Sequence, residues 1–251
     1  MRPLIAKLKP ASGFSRVVHI GFNLLLPLIV FILVRINFIQ LALIVILLSK
    51  WRMFAVRPRF WAANVRANAV DIIVGVSILT FMIHSDGQLW QFLWATMYGV
   101  WLVWIKPAAG TLMISVQATI GLLCGLMALF VAWAAGPLYG LVLATGLICY
   151  LSAHHFFDSF DEPYSRLLAY IWGYFGAALV WVLGHWLLFY FNGIVAQPVL
   201  LLLAIGYGLA ALYYLDHHGR LSKVVRQQFI FIMLAIVAII VLFSDWGNKI
   251  V

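Results

Sequence analysis

Nine runs of apolar residues occupy most of this 251-residue chain, at about 17–34, 37–49, 68–84, 89–105, 111–134, 137–155, 166–191, 194–215 and 228–244. Short charged or Gly/Pro-containing breaks separate them. A helix needs roughly 20 apolar residues to cross the hydrocarbon core of a bilayer. In lipid the backbone must satisfy its own hydrogen bonds, so runs this long and this free of β-type alternation are predicted to be helices. The expected fold class is therefore all-α, a polytopic transmembrane helical bundle forming one integral membrane domain over 1–251. Only 9% of the residues are charged and mean hydropathy is +1.08, against roughly 25% charged residues in a soluble domain. An appended soluble catalytic domain, a disordered chain and a disulfide scaffold are all excluded by that composition. The run at 37–49 is short: its ~13 residues would rise only ~20 Å at 1.5 Å each, so its crossing needs a separate argument.

Charge supplies that argument. Residues 1–70 hold ten Lys or Arg and no acid, whereas 71–251 hold six basic and seven acidic residues. Because the basic residues flank apolar runs, they signal orientation in a membrane and not a nucleic-acid arm. Nine spans with the N-terminus in the cytoplasm put 14 basic residues inside and two, Arg35 and Lys249, outside. If the second run does not cross, the balance falls to 11 against five. The expected topology is nine spans, N-terminus cytoplasmic and C-terminus outside, with a basic N-terminal segment 1–16, a basic aromatic loop 50–67, and cytoplasmic loops 154–165 and 216–227. The first run is too long for the core of a cleaved signal and no small-x-small site follows it, so it reads as an uncleaved anchor. The localisation expected is the bacterial cytoplasmic (inner) membrane. Cys124 and Cys149 fall at different depths and are expected to form neither a disulfide nor a metal site.

Within the runs, small residues at helical spacing mark packing seams: Gly121 and Gly125, Gly136 and Gly140, and Gly173, Ala177 and Gly184. Trp90, Trp94, Tyr98, Trp101 and Trp104 share one helical face, read as a lipid-facing stripe anchored at both ends. Embedded polar groups are sparse. Gln117 and His185 are the candidates, and this scarcity weighs against an ion-coupled transporter. No Lys lies at mid-helix, which excludes a retinal Schiff base. Asp71, at the edge of the third run, reads as an acid placed at a helix N-terminus.

Chemistry would have to come from the cytoplasmic loops. If the sixth helix continues past the bilayer, His154, Asp158 and Glu162 stack at i, i+4 and i+8, and His217 or His218 would complete a shell for a divalent metal ion. The structural alternative is that Asp161, Glu162 and Pro163 open the seventh helix, while His217 and His218 close the eighth before Gly219. Arg52, Arg57, Arg59 and Arg66 form a basic aromatic segment suited to anionic lipid or phosphate. Asp158-x-x-Asp161-Glu162, between the sixth and seventh runs, resembles the second Asp-rich motif of UbiA-type prenyltransferases, a resemblance that implies Mg-diphosphate binding. It covers about a dozen residues, and where the first motif should stand the chain offers Asn64 and Asn68 and no acid before Asp71. The reading that follows is a structural, assembly or lipid-interacting membrane component, partnered by membrane lipids, by other membrane proteins or by copies of itself. A metal-dependent enzyme on a lipid-linked phosphate or diphosphate is the alternative, and a small-molecule transporter the third.

Overall fold

The computed structural model describes residues 13–133, 136–160, 162–186, 191–192 and 195–244. The outer part of the basic N-terminal segment, Asp161 and residues 245–251 lie outside the described residues. Among the described residues the chain is all-α apart from one short antiparallel pairing of Phe191–Asn192 with Val195–Ala196. Each of the nine apolar runs coincides with a helical segment. These are α1 (Gly13–Arg35), α2 (Ile39–Leu48), α4 (Ala69–Ile83), α5 (Gln88–Val100), α6 (Thr111–Trp133), α7 (Leu138–Asp158), α8 (Ser165–Trp186), α9 (Gln197–His217) and α10 (Lys223–Leu242). A seven-residue helix, α3 (Trp61–Ala67), precedes α4.

Among the described residues five helices, α6 to α10, are long and apolar enough to cross a membrane, as expected of a multi-pass membrane protein. The Pro58–Ala67 segment and α4 would make a sixth span, bent by 62° at their junction. Ten residues of α2 rise only about 15 Å, half the thickness of a bilayer core.

Glycine seams set how the helices meet. A Cβ on Gly121 or Gly125 of α6 would lie 2.8 Å from Val70 and 2.6 Å from Ile73, so α4 packs against the Gly121 and Gly125 face. Gly146 of α7 and Gly173 of α8 meet backbone to backbone, with Ala177 beside them. Both observations agree with small residues at helical spacing acting as packing surfaces. Gly136 and Gly140 instead close on the Trp133 ring within their own turn. The most deeply buried helix, α4, carries no such spacing: ten of its 15 residues are buried.

The aromatic stripe of α5 departs from its expected lipid-facing role. Trp90 and Trp104 are exposed at its two ends, but Tyr98 and Trp101 are buried. The reason is local. After Val100 the helix widens into a π-helical turn, Trp101–Ile105, closed by the Lys106 amide donating to the Trp101 carbonyl at 2.8 Å. Such a turn draws residues five apart toward one face. Trp101 is thereby buried, and both it and Lys106 reach Asp71 of α4.

Helix contacts also order the chain ends. Phe31 meets Phe92 edge-on, and Leu24 faces Gly99, so α1 runs antiparallel to α5. Arg35 therefore lies at the end of the bundle opposite Lys106. Lys50 and Lys106 lie at the same end, because both reach Asp71.

Candidate functional site

Asp71 sits in the first turn of α4, buried, with its carboxylate shared among three donors. Lys50, at the end of α2, and Lys106, at 2.6 Å, both engage Oδ2, while the Trp101 indole N–H donates to Oδ1 at 2.9 Å. The Lys106 side chain is 39% exposed, but that of Lys50 is only 6% exposed. Burial pulls the Lys50 ammonium down to about 8, against the attraction of Asp71. Sequence reasoning placed Asp71 at a helix N-terminus and missed this cluster. The available signal was that Asp71 is the first acid in a chain whose preceding 70 residues are basic or neutral.

Next to this cluster, the embedded polar Gln117 of α6 is buried and ties the end of the π turn to α6. Its Nε2 donates to the carbonyls of Ile105 at 2.7 Å and Ala108 at 3.1 Å, at the end of the π turn where the helical ladder stops. That orientation turns Oε1 toward His155 Nε2, 3.1 Å away, so the ring must donate from Nε2. His185 is exposed near the end of α8 and stacks on Trp181 with ring centroids 5.1 Å apart.

The five residues proposed from spacing as metal ligands divide into separate contacts. His154 pairs with Asp158 at 2.9 Å, as the i, i+4 spacing requires. However, α7 ends at Asp158 and the chain turns through Ser159 and Phe160, so Glu162 leaves the stack. Glu162 instead accepts the Tyr213 hydroxyl of α9 at 2.5 Å. His217 lies against Phe160, and His218 Nδ1 lies 2.8 Å from the Tyr214 carbonyl. No group of three or more His, Cys, Asp or Glu side chains positioned for a metal ion occurs among the described residues. The end of α9 matches its expected form, with Gly219 at φ +63° and the Arg220 amide returning to the Leu215 carbonyl. Helix α8 starts later than Pro163, at Ser165.

In the basic loop, Arg57 and Arg59 are exposed, and Arg59 stacks over Phe60 at 4.6 Å. Arg66 Nε donates to the Ala62 carbonyl at 3.4 Å, and the side chain of Arg52 lies outside the described residues. Trp51 and Phe54 are exposed beside Ile44 and Leu47 of α2, where they line a shallow apolar groove.

On the Lys50 end of the bundle a cleft of about 520 Å³ is enclosed by α6, α7, α8 and α9. Leu122, Phe156, Trp172, Gly206, Ala210 and Tyr213 represent its walls, and no Lys, Arg, Asp or Glu is among its lining residues. It exists because α7 packs tightly on α8, and α9 leans on α6 and α10, while α8 and α9 touch only sparsely. Ile171 and Tyr207 line it yet remain exposed, so the cleft opens sideways between α8 and α9. Along α9 it runs from Leu203 to Tyr213, about 15 Å at 1.5 Å per residue. Ser152 lies on its α7 wall, buried, with an Oγ that has no hydrogen-bond partner. Sequence periodicity gave no warning of the cleft, since its residues are the same Leu, Phe and Ala that fill helix contacts elsewhere. Compared with known protein families, with characterised proteins and with solved structures, the chain shows no significant match.

Proposed function

We propose that this chain is a nine-span protein of the bacterial cytoplasmic membrane, with its N-terminus in the cytoplasm, that holds one hydrocarbon chain of an inner-leaflet lipid in the α6–α9 cleft. The cleft carries this reading. Its volume lies within the roughly 300–1,000 Å³ of ligand pockets, and its walls are almost wholly apolar. Its length of about 15 Å equals one leaflet of a ~30 Å hydrocarbon core. It begins at the end of the bundle that carries Lys50 and Lys106, the end that basic-residue bias assigns to the cytoplasm. A sideways opening admits a chain directly from the bilayer. The exposed aromatic and cationic residues of the 50–67 loop suit anionic head groups at the same surface.

Filling the cleft tests the reading. Ala210→Trp places a large ring against the apolar walls where Ala210 now lines them. The wild-type protein, purified in detergent, is expected to retain one tightly held lipid by native mass spectrometry, and A210W to lose it with an unchanged helical circular dichroism signal. Equal lipid retention by both proteins would count against the cleft as the binding site. The topology is tested separately: a reporter fused after Val251 is expected to read as periplasmic, and a cytoplasmic signal would overturn the nine-span arrangement.

A further inference from the structure

We infer that the cleft selects a lipid whose polar end donates hydrogen bonds, a primary ammonium, over one ending in a quaternary ammonium or a bare phosphate. This rests on the lipid-binding reading above. Tyr213 lines the cleft at its cytoplasmic rim, and its single O–H is committed to Glu162 at 2.5 Å. The phenol oxygen therefore offers the cleft only lone pairs, and an ionised Glu162 behind it is acceptor-only as well. Among the described residues no Lys or Arg lines the cleft. At the same end of the bundle Lys50 and Lys106 are bound to Asp71, and Arg166, Arg220, Lys223 and Arg226 lie outside the cleft lining. Inside the cleft a phosphate-terminated lipid would meet acceptors facing acceptors, with no cation in the lining to offset them. A primary ammonium brings three N–H donors and a positive charge to the same spot, whereas a quaternary ammonium brings the charge without the donors.

One turn deeper, Ser152 is 3% exposed and its hydroxyl has no partner. It is four residues from Phe156, about 6 Å along α7. Ester oxygens that follow a head group lying at the Tyr213 rim fall at this depth. A ligand oxygen there would satisfy a group that is otherwise costly to bury.

The test uses the full-length protein in detergent micelles containing equal amounts of phosphatidylethanolamine, phosphatidylcholine and phosphatidic acid with identical acyl chains, read by native mass spectrometry. The phosphodiester is common to the first two lipids, so their difference isolates the donors. Wild-type protein is expected to favour the ethanolamine lipid by about tenfold, the size of one charge-assisted hydrogen bond. E162Q removes the charge while leaving an acceptor for Tyr213, and should bind one lipid still, with that preference reduced to about twofold or less. Should E162Q fail to fold, Y213F replaces it, with the same loss of preference expected. Equal retention of ethanolamine and choline lipids by the wild type, or a preference unchanged in the variant, overturns the head-group inference and leaves chain binding standing. If the wild type holds no lipid, the lipid-binding reading itself fails, and the head-group inference with it.

Discussion

Asp71→Ala is expected to destabilise the folded chain by about 3–5 kcal/mol, the cost of stranding a buried charge without its partner. Asp71 is where α2, α4 and the α5–α6 connection are tied together, and Lys50 is too buried for water to take over. The Trp101 N–H would be left unpaired at the same time. The other members of the cluster should respond unequally. Lys106→Met leaves Asp71 paired with Lys50 and removes a side chain that is already 39% exposed, so its effect should be small. Combining Asp71→Leu with Lys50→Met removes both buried charges, and should recover most of the stability lost in the single Asp71 variant. Thermal unfolding in a fixed detergent, followed by circular dichroism, gives the comparison. An Asp71→Ala protein that melts with the wild type would show that the cluster does not hold these helices together.

Most of the helical framework was legible because apolar runs and their breaks are local features. Gly121, Gly125 and Gly219 behave as their spacing and position imply. The Asp71 cluster was not legible for a physical reason: Lys50 is 21 residues before Asp71, and Lys106 is 35 after it (106 − 71). No local pattern joins them. The α5 stripe was misjudged in its middle because periodicity identifies a face but not which way it turns. Trp101 and Lys106 are five residues apart, and the π turn between them brings both to one carboxylate. The proposed metal stack rested on a helix continuing beyond Asp158. Two turn residues, Ser159 and Phe160, are enough to send Glu162 toward Tyr213 on another helix.

The second large effect is expected at Gly173. A Cβ there would stand 2.9 Å from the Gly146 carbonyl oxygen and 2.9 Å from the Tyr150 Cβ, atoms that belong to the α7 backbone or are bonded directly to it. Neither can swing aside as the end of a flexible side chain would. Gly173→Leu must therefore push α8 away from α7, breaking the Tyr150–Tyr170 stack at 4.8 Å and the contact of Gly176 with Cys149. Overpacking of this kind costs typically ~1–3 kcal/mol, and more where the backbone must move. Gly21→Ala is the control, because nothing lies within 4 Å of a Cβ at that position, and it should melt with the wild type. The effect should also reach the cleft. Trp172, the neighbour of Gly173, lines the cleft from α8 and packs against Gly206 of α9. An α8 displaced from α7 closes the space between α8 and α9, so Gly173→Leu is expected to lose its retained lipid as well as stability. A G173L protein that melts early yet keeps its lipid would separate the helix seam from the cleft, and would place the lipid elsewhere on the bundle.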